Sequence, residues 1–199
     1  MSAQRSQSAF RPKALLLTPG AGASRDQPSL VAIDEALSAT GVVVQRMDFP
    51  YRIAGRRAPD KAPVLVQAVR DGAAALTKQA RTRPASVALG GRSMGGRICS
   101  MAVAEGLPAA GLVLISYPLH PPGKPDQLRT AHFPDIDVPC LFVSGTRDAF
   151  GTPDELLAAT KAIKGAVTHI WIDGGDHGLR NKDKTVVEAV GSWFGGRSR

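Results

Sequence analysis

The sequence predicts an α/β protein built on a minimal, doubly wound and mostly parallel sheet of about six strands. Short aliphatic runs alternate with helical patterns along the chain, which is typical of parallel strands joined by helices. Most of the runs are apolar throughout, as strands covered on both faces are. Right-handed crossovers then place helices on both sides of the sheet. The predicted strands are Ala14–Thr18, Val42–Met47, Ser86–Leu89, Gly111–Ser116, Cys140–Ser144 and Thr168–Ile172.

Five helices are predicted, and two of them have clear local causes. Helix Pro153–Ile163 follows Thr152 and carries Glu155, so these two side chains can form a capping box around a proline at the first helical position. In helix Pro63–Lys78, apolar residues recur at helical spacing and give one core-facing stripe. The other predicted helices are Pro28–Ala39, Gly95–Glu105 and Lys184–Phe194.

The length of 199 residues suits a single domain. We expect residues 1–12 to form a disordered N-terminal arm and residues 13–199 to form that domain. The longest unpatterned stretch, Tyr117–Pro139, is too short and polar for a helical lid domain. No apolar run reaches the ~18 residues that cross a bilayer, and the polar segment Met1–Ser8 lacks the apolar core of a secretory signal. We therefore expect no membrane span and a cytoplasmic location.

The net charge of +8, from 25 basic and 17 acidic residues, is scattered along the chain. Its densest group is Arg52, Arg56, Arg57 and Lys61, and no aromatic stacking platform accompanies it. We interpret the charge mainly as a solvated surface and expect no nucleic-acid partner. The sequence leaves open whether Arg52, Arg56 and Arg57 contact a substrate.

Two further composition features bear on cofactors. Cys99 and Cys140 form no CxxC motif, so we expect both to be buried, apolar thiols. The chain has no Gly-Lys-[Ser/Thr] phosphate loop and no His/Glu metal pair, so neither a cofactor nor a metal is expected.

The segment Gly90–Gly96 carries the main chemical signal, a Gly-x-Ser-x-Gly pattern centred on Ser93. It lies between strand Ser86–Leu89 and a predicted helix, which is the context that a nucleophile elbow requires. Such a turn holds the serine at a helix N-terminus, where backbone N–H groups favour developing negative charge. Glycine-rich turns also bind phosphate or simply turn the chain, so a catalytic serine needs support from other residues.

A serine hydroxyl is a weak nucleophile and needs a base. The chain offers His120, His132, His169 and His177. The first two lie in the proline-rich stretch, and the third lies inside a strand. His177 follows the last predicted strand in a glycine-containing turn, at the edge of the parallel sheet where Ser93 also lies. We therefore predict His177 as the base; an exposed loop histidine is the alternative.

The base needs a carboxylate that orients its ring, and Asp148 is the candidate. It follows strand Cys140–Ser144, and the resulting chain order Ser, Asp, His is the one found in α/β-hydrolases. Asp173 and Asp176 lie too close to His177 along the chain to reach around its ring easily. The alternative for Asp148 is a turn carboxylate that bonds local backbone N–H groups.

The oxyanion hole should consist of two backbone N–H groups. One belongs to Met94, directly after the nucleophile. The other should come from the loop after the first strand, where Ala21 is the first choice and Gly22 the alternative. Arg92 and Arg97 flank the turn; an acidic substrate group would suit them, but we interpret both as surface or structural ion pairs.

Four segments of the chain together resemble a family of small α/β-hydrolases that includes testis-expressed protein thirty and a subunit of the NSL complex. The segments are also similar, more distantly, to dienelactone hydrolases. They are Thr18–Ala23, Gly90–Arg97, Gly145–Asp148 and Gly175–His177. The resemblance covers nearly the whole chain from about Lys13, and Gly90–Arg97 is its most specific part.

This resemblance implies an α/β-hydrolase fold and maps Ser93, Asp148 and His177 onto the family's catalytic triad. Many members have His-Gly where this chain has Pro19-Gly20, so the shape of that loop is less well predicted. The resemblance implies the substrate class only weakly, and at least one relative serves as a scaffold in a protein complex.

The residues and the resemblance together predict a serine hydrolase that cleaves an ester, thioester or amide of a small or soluble acyl substrate. A hydrolase-fold binding or scaffold protein without turnover is the alternative. A dinucleotide-binding fold is a third reading, since Gly20 and Gly22 follow the first strand and Asp48 ends the second. It fails at the third glycine of the fingerprint, where the chain has Arg25.

Overall fold

The sheet contains six strands in the order β2-β1-β3-β4-β5-β6, and all neighbouring pairs are parallel. This confirms the predicted doubly wound parallel sheet. The computed structural model describes residues 12–195, so the predicted disordered arm lies outside the described residues except for Pro12, which is buried. The strands are β1 Ala14–Thr18, β2 Val43–Arg46, β3 Val87–Arg92, β4 Gly111–Ile115, β5 Cys140–Gly145 and β6 Val167–Ile172.

The described chain has six α-helices and two short 3₁₀ helices, Pro84–Ser86 and Phe133–Asp135. The sequence pattern misses Pro50–Ile53 because a single turn is too short to show helical periodicity. That turn places Tyr51 in the core. The α-helices are α1 Pro28–Ser38, α2 Pro50–Ile53, α3 Ala62–Gln79, α4 Met94–Ala104, α5 Pro153–Thr160 and α6 Asp183–Phe194.

Two hydrophobic clusters cover the two faces of the sheet. Along β1 the side chains alternate, so that Leu16 belongs to one cluster while Leu15 and Leu17 belong to the other. Buried residues of α3, α4 and α5 complete the first cluster, and those of α1 and α6 complete the second. Burial on both faces explains why the central strands are mostly apolar.

Local sequence signals predict the start of α5 correctly and the end of β3 incorrectly. Thr152 and Glu155 form the predicted capping box, with Thr152 Oγ1 accepting from the Glu155 N–H. The prediction that the strand before Ser93 ends at Leu89 is wrong. Strand β3 continues through Arg92, because Gly91 and Arg92 stay in register with β1 and β4 respectively.

The strand order places a crevice at the carboxyl ends of β1 and β3. From β1 the chain first moves outward to β2 and then returns to the other side of β1 as β3. Such a switch point leaves a crevice between the loops that follow the two strands, and ligands of open α/β sheets bind there. The two loops are the one that begins at Pro19 and the turn at Ser93.

The segment between β4 and β5 contains no α-helix, in agreement with the predicted absence of a helical lid. Its side chains Tyr117, Leu119, Phe133 and Ile136 are buried in the core, which holds the segment against the sheet. Within residues 12–195, none of the helices combines the length and the apolar character that a membrane crossing needs.

Candidate active site

Ser93 lies on a strained turn between β3 and α4. Its backbone has φ 51° and ψ −118°, a region that residues with a side chain rarely occupy. The neighbouring chain fixes this conformation: the Ser93 N–H donates to the carbonyl of Ile115 at 2.8 Å, and the Ser93 carbonyl accepts from the Arg97 N–H at 3.1 Å. The strain therefore persists because the sheet and the first turn of α4 hold both sides of the serine.

Glycines flank Ser93 because the elbow packs directly against β1. A Cβ atom on Gly91 would collide with the backbone oxygen and the hydroxyl of Thr18. A Cβ on Gly95 would lie 2.5 Å from the carbonyl oxygens of Thr18 and Pro19. The Gly-x-Ser-x-Gly spacing thus has a steric cause at both ends, independent of any chemistry at the serine.

Ser93, His177 and Asp148 form a continuous hydrogen-bonded line. Ser93 Oγ lies 2.9 Å from His177 Nε2, and His177 Nδ1 lies 2.8 Å from Asp148 Oδ2 and 3.0 Å from Oδ1. Because a carboxylate accepts hydrogen bonds, this arrangement puts the imidazole proton on Nδ1. Nε2 is then free to accept a proton from the serine hydroxyl.

Asp148 and His177 meet because the loops after β5 and β6 pack closely. Gly145 touches the backbone of Gly175 so tightly that a Cβ there would collide with it, and the Arg147 N–H donates to the Gly175 carbonyl at 2.9 Å. The Asp148 side chain is 2% exposed, whereas that of His177 is 23% exposed. The carboxylate is therefore shielded from water while the imidazole still reaches the surface.

One further residue, Phe150, holds this carboxylate and imidazole in place. The Phe150 N–H donates to Asp148 Oδ1 at 2.8 Å, so the predicted alternative role of Asp148 as a local turn acceptor coexists with its bond to the histidine. The Phe150 ring stacks on the His177 ring with a centroid distance of 3.9 Å. One aromatic residue thus orients both groups, through its backbone and through its side chain.

Arg92, the last residue of β3, connects this strand to the loop after β6 that carries His177, which we call the histidine loop. Its guanidinium donates to the carbonyl of His177 at 2.7 Å and also to the carbonyl of Gly178. Burial lowers the pKa of this guanidinium. Arg92 makes no ion pair with the described residues, so the interpretation of it as a surface or structural ion pair is wrong. Its position next to the serine was visible in the sequence, but its carbonyl partners were not.

The acids that compete with Asp148 do not reach the imidazole. Asp173 is exposed, and its Oδ1 accepts from Thr146 Oγ1 at 3.4 Å. Asp176 is also exposed, and its carboxylate lies against Gly178.

Two other hydroxyl–histidine pairs occur in the described chain. Ser100 Oγ lies 2.8 Å from His132 Nε2, and Thr160 Oγ1 lies 3.0 Å from His169 Nε2. Ser100 and Thr160 are both buried, and each hydroxyl already donates to a carbonyl of its own helix. Neither of these histidines has a hydrogen-bonded carboxylate among the described residues. Neither pair therefore has both a hydroxyl that a substrate can reach and a histidine oriented by a carboxylate.

The Ser93 hydroxyl lies in a cleft of about 530 Å³. The cleft forms between the loop after β1, the elbow and the histidine loop, at the crevice that the strand order creates. Pro118 and Arg129, from the segment between β4 and β5, contribute another wall. The full lining is Gly20, Ala21, Ala23, Gln27, Arg92, Ser93, Met94, Arg97, Pro118, Arg129, Phe150, His177 and Gly178.

Ala21 and Met94, the predicted oxyanion donors, both line the cleft. Met94 is the first residue of α4, so its N–H has no partner within the helix. The Ala21 N–H is likewise unpaired among the described residues, whereas the neighbouring Gly20 N–H donates to Gln27 Oε1 at 3.2 Å. Gly22 does not line the cleft. The sequence pattern gave no sign that Gln27 supports this loop.

The cysteines and the other candidate ligands lie away from this chemistry. Cys99 and Cys140 are buried free thiols, as predicted, and burial raises the pKa of each to about 12. In residues 12–195, no group of three or more His, Cys, Asp or Glu side chains is arranged to hold a metal ion. Arg52, Arg56 and Arg57 do not line the cleft, and Arg56 pairs with Asp60 at 2.7 Å.

A parallel sheet covered by helices on both faces, with a serine on a strained strand–helix turn, is the arrangement of the α/β-hydrolase fold. Residues 11–193 match the family described as "Alpha/beta hydrolase domain", and the chain belongs to this family. The predicted fold class is thereby confirmed. The resemblance to the narrower group around testis-expressed protein thirty stays a prediction.

Solved structures with the same fold include several hydrolases. A dienelactone hydrolase from Anabaena variabilis has a TM-score of 0.74 at 18% identity, with 95% of this chain and 88% of that chain covered. Est1E from Butyrivibrio proteoclasticus has a TM-score of 0.68 at 16% identity, with coverages of 93% and 88%. The esterase domain of a Rhodothermus marinus protein has a TM-score of 0.69 at 17% identity, with coverages of 94% and 88%. At these identities the likeness establishes the fold.

Proposed function

We propose that this chain is a serine hydrolase that cleaves an ester, thioester or amide of a small or soluble acyl substrate. Ser93 serves as nucleophile, His177 as general base and acid, and Asp148 as the group that orients the imidazole. The observation that carries the proposal is the unbroken line from Ser93 Oγ through His177 to Asp148, which ends in an open cleft.

In the proposed reaction, Ser93 Oγ attacks the substrate carbonyl carbon while His177 Nε2 takes the hydroxyl proton. The carbonyl oxygen becomes an oxyanion and accepts hydrogen bonds from the Ala21 and Met94 N–H groups. Asp148 stabilises the imidazolium without taking its proton. The imidazolium then protonates the leaving group, which departs as an alcohol, thiol or amine and leaves an acyl-serine. Water, deprotonated by His177, attacks this ester, and the imidazolium returns the proton to Ser93 Oγ as the acid is released.

The shape of the cleft supports small or soluble substrates. No helical lid separates it from solvent, and its volume of about 530 Å³ lies within the usual range for small-molecule sites. The structural relatives, which include a dienelactone hydrolase and esterases, are consistent with acyl transfer to water. The Gly90–Arg97 run is the basis on which we also place the chain in the narrower group of small α/β-hydrolases named above.

Hydrolysis of p-nitrophenyl acetate and butyrate tests the proposal with a matched pair of variants. Ser93→Ala should reduce kcat/KM by at least about 10³-fold, because it removes the nucleophile. Ser100→Ala removes a hydroxyl that also lies 2.8 Å from a histidine but is fully buried, so it should retain turnover. Circular dichroism is the check that both variants fold.

Two outcomes would contradict the proposal. Hydrolysis that survives in Ser93→Ala would place the chemistry elsewhere in the protein. A wild-type protein that neither hydrolyses short esters nor reacts with a fluorophosphonate would instead support the non-catalytic binding or scaffold function.

A further inference from the structure

Two arginines of the cleft have no partner that would neutralise them. Arg97 and Arg129 both line the cleft that contains Ser93. Among the described residues, neither guanidinium takes part in an ion pair or a side-chain hydrogen bond. Arg92 differs from them, because its guanidinium is already engaged by the carbonyls of His177 and Gly178.

The backbones of both arginines are fixed relative to the nucleophile. Arg97 lies in the first turn of α4, and its N–H donates to the Ser93 carbonyl at 3.1 Å. Arg129 is held by the buried Tyr117, whose hydroxyl donates to the Arg129 carbonyl at 2.7 Å, and by its own N–H, which donates to the Leu119 carbonyl at 2.8 Å. The two side chains therefore extend from fixed backbone positions on the walls of the cleft.

The surroundings of these groups leave positive charge uncompensated. Burial lowers the pKa of Arg129, and the charge of Arg97 lowers it further, so the two cations lie close enough to repel each other. The Nε atom of Arg97 is buried and has no hydrogen-bond partner. A buried N–H donor without an acceptor is costly, so no interaction within the described residues holds this guanidinium in its present position.

We propose that Arg97 and Arg129 form an anion subsite, and that the substrates of this hydrolase carry a carboxylate or a similar oxyanion near the scissile acyl bond. The inference rests on the proposed function. A planar carboxylate matches the donor geometry of a guanidinium, and one anion between two arginines would also relieve their mutual repulsion. The subsite thus narrows the substrate class from acyl compounds in general to acidic ones.

The test compares charged and neutral substrates of matched shape. On the acyl side the pair is mono-p-nitrophenyl adipate and p-nitrophenyl hexanoate. On the leaving-group side the pair is 3-carboxyphenyl acetate and phenyl acetate. The readout is the ratio of kcat/KM for the charged over the neutral ester, after subtraction of the rate with Ser93→Ala. The wild type should prefer the charged ester in at least one pair, and the preference should weaken as salt is added.

Four variants test whether the preference arises at the subsite. Arg97→Gln and Arg129→Gln should each lower the ratio by about ten-fold or more, because each removes charge-assisted hydrogen bonds to the anion. Arg83→Gln makes the same charge change at the amino end of β3, at the opposite edge of the sheet from Ser93, and should leave the ratio unchanged. Arg97→Lys keeps the charge without the planar donor geometry and should give an intermediate ratio.

The outcomes separate this inference from the proposed function. Ser93-dependent hydrolysis with no preference for the charged ester in either pair would overturn the subsite alone, as would a preference that persists in Arg97→Gln and Arg129→Gln. Without any Ser93-dependent turnover, calorimetric titration with adipate still tests the subsite. Binding that both glutamine variants weaken would support it, and no binding, or equal binding by all variants, would overturn it.

Discussion

The hydrogen bonds from Arg92 to the histidine loop allow us to predict how much stability and activity the protein loses without them. Arg92→Met keeps an unbranched side chain comparable to the aliphatic part of arginine but removes the donors that contact the carbonyls of His177 and Gly178. Hydrogen bonds from a charged group contribute about 1.5–3 kcal/mol each. Part of this loss is recovered, because the variant no longer holds a cation that burial disfavours. We expect a net loss of about 1–2 kcal/mol in the free energy of unfolding.

The effect on activity should be larger than the effect on stability. The same carbonyls fix the loop that presents His177 Nε2 to Ser93 Oγ at 2.9 Å, and misplacement of a catalytic group by about 1 Å can cost 10²-fold in rate. We expect kcat of Arg92→Met on p-nitrophenyl butyrate to fall by about 10- to 100-fold, while Tm falls by about 2–8 °C. Arg92→Lys, which keeps a donor, should recover part of the rate.

The assay combines initial rates with thermal unfolding, and Arg83→Met serves as the control for a lost surface charge. Arg83 lies at the start of the 3₁₀ helix before β3, away from the cleft. A kcat for Arg92→Met within two-fold of the wild-type value would refute the role of Arg92 as a positioning residue. A fall in stability without a fall in kcat would show that the hydrogen bonds serve the fold alone.

Three more predictions address the fold, the buried histidine and the carboxylate. Gly91→Ala should destabilise the protein by more than about 3 kcal/mol, because its Cβ collides with the backbone of Thr18; urea unfolding measures this. Burial, aided by the charge of Arg97, lowers the pKa of His132 to about 4, so the unfolded chain binds more protons between about pH 6.5 and pH 4. The contribution of His132 to the free energy of unfolding is therefore fully present above about pH 6.5 and is lost as the pH falls towards 4. His132→Gln should reduce the slope of the free energy of unfolding against pH by up to about 1.4 kcal/mol per pH unit. Asp148→Asn should lower kcat by about 10⁴-fold with little change in fold, which ester hydrolysis and circular dichroism measure.

Each of these predictions has a control or a contradicting result. Gly191 in α6 has open space around its Cβ position, so Gly191→Ala should stabilise the protein by up to about 1 kcal/mol; equal effects of the two alanine substitutions would reject the steric argument. Identical pH profiles of unfolding for wild type and His132→Gln would show that His132 is not buried in its neutral form. An Asp148→Asn variant with near wild-type kcat would remove Asp148 from the mechanism.

The sheet could be predicted from the sequence because its strands are buried on both faces. β1 is buried along its whole length and apolar from Ala14 to Leu17, and its predicted bounds, Ala14–Thr18, agree with the structure. The edge strands β2 and β6 are only partly buried, and their predicted bounds differ by a residue or more. The predicted third strand ends too early, at Leu89, because glycines normally argue against a strand. In β3, however, Gly90 and Gly91 are required by the close approach of Val113 and Thr18.

The three predicted site residues come together because a parallel sheet presents the carboxyl ends of its strands at one edge. Chain order and strand ends alone therefore identified Ser93, Asp148 and His177 as neighbours. Contacts between loops carry no such periodic signal. Phe150 and Arg92 act through a ring stack and through carbonyls of another loop, and Arg129 reaches the cleft from an unpatterned segment. The contacts of these residues are therefore visible only in three dimensions.

The mass of the protein after reaction with a fluorophosphonate tests the central claim most directly. The account predicts one adduct per chain, mapped by peptide fragmentation to Ser93, and no adduct on Ser93→Ala or on wild type after denaturation. An adduct on a different residue, or equal labelling of Ser93→Ala and wild type, would contradict it.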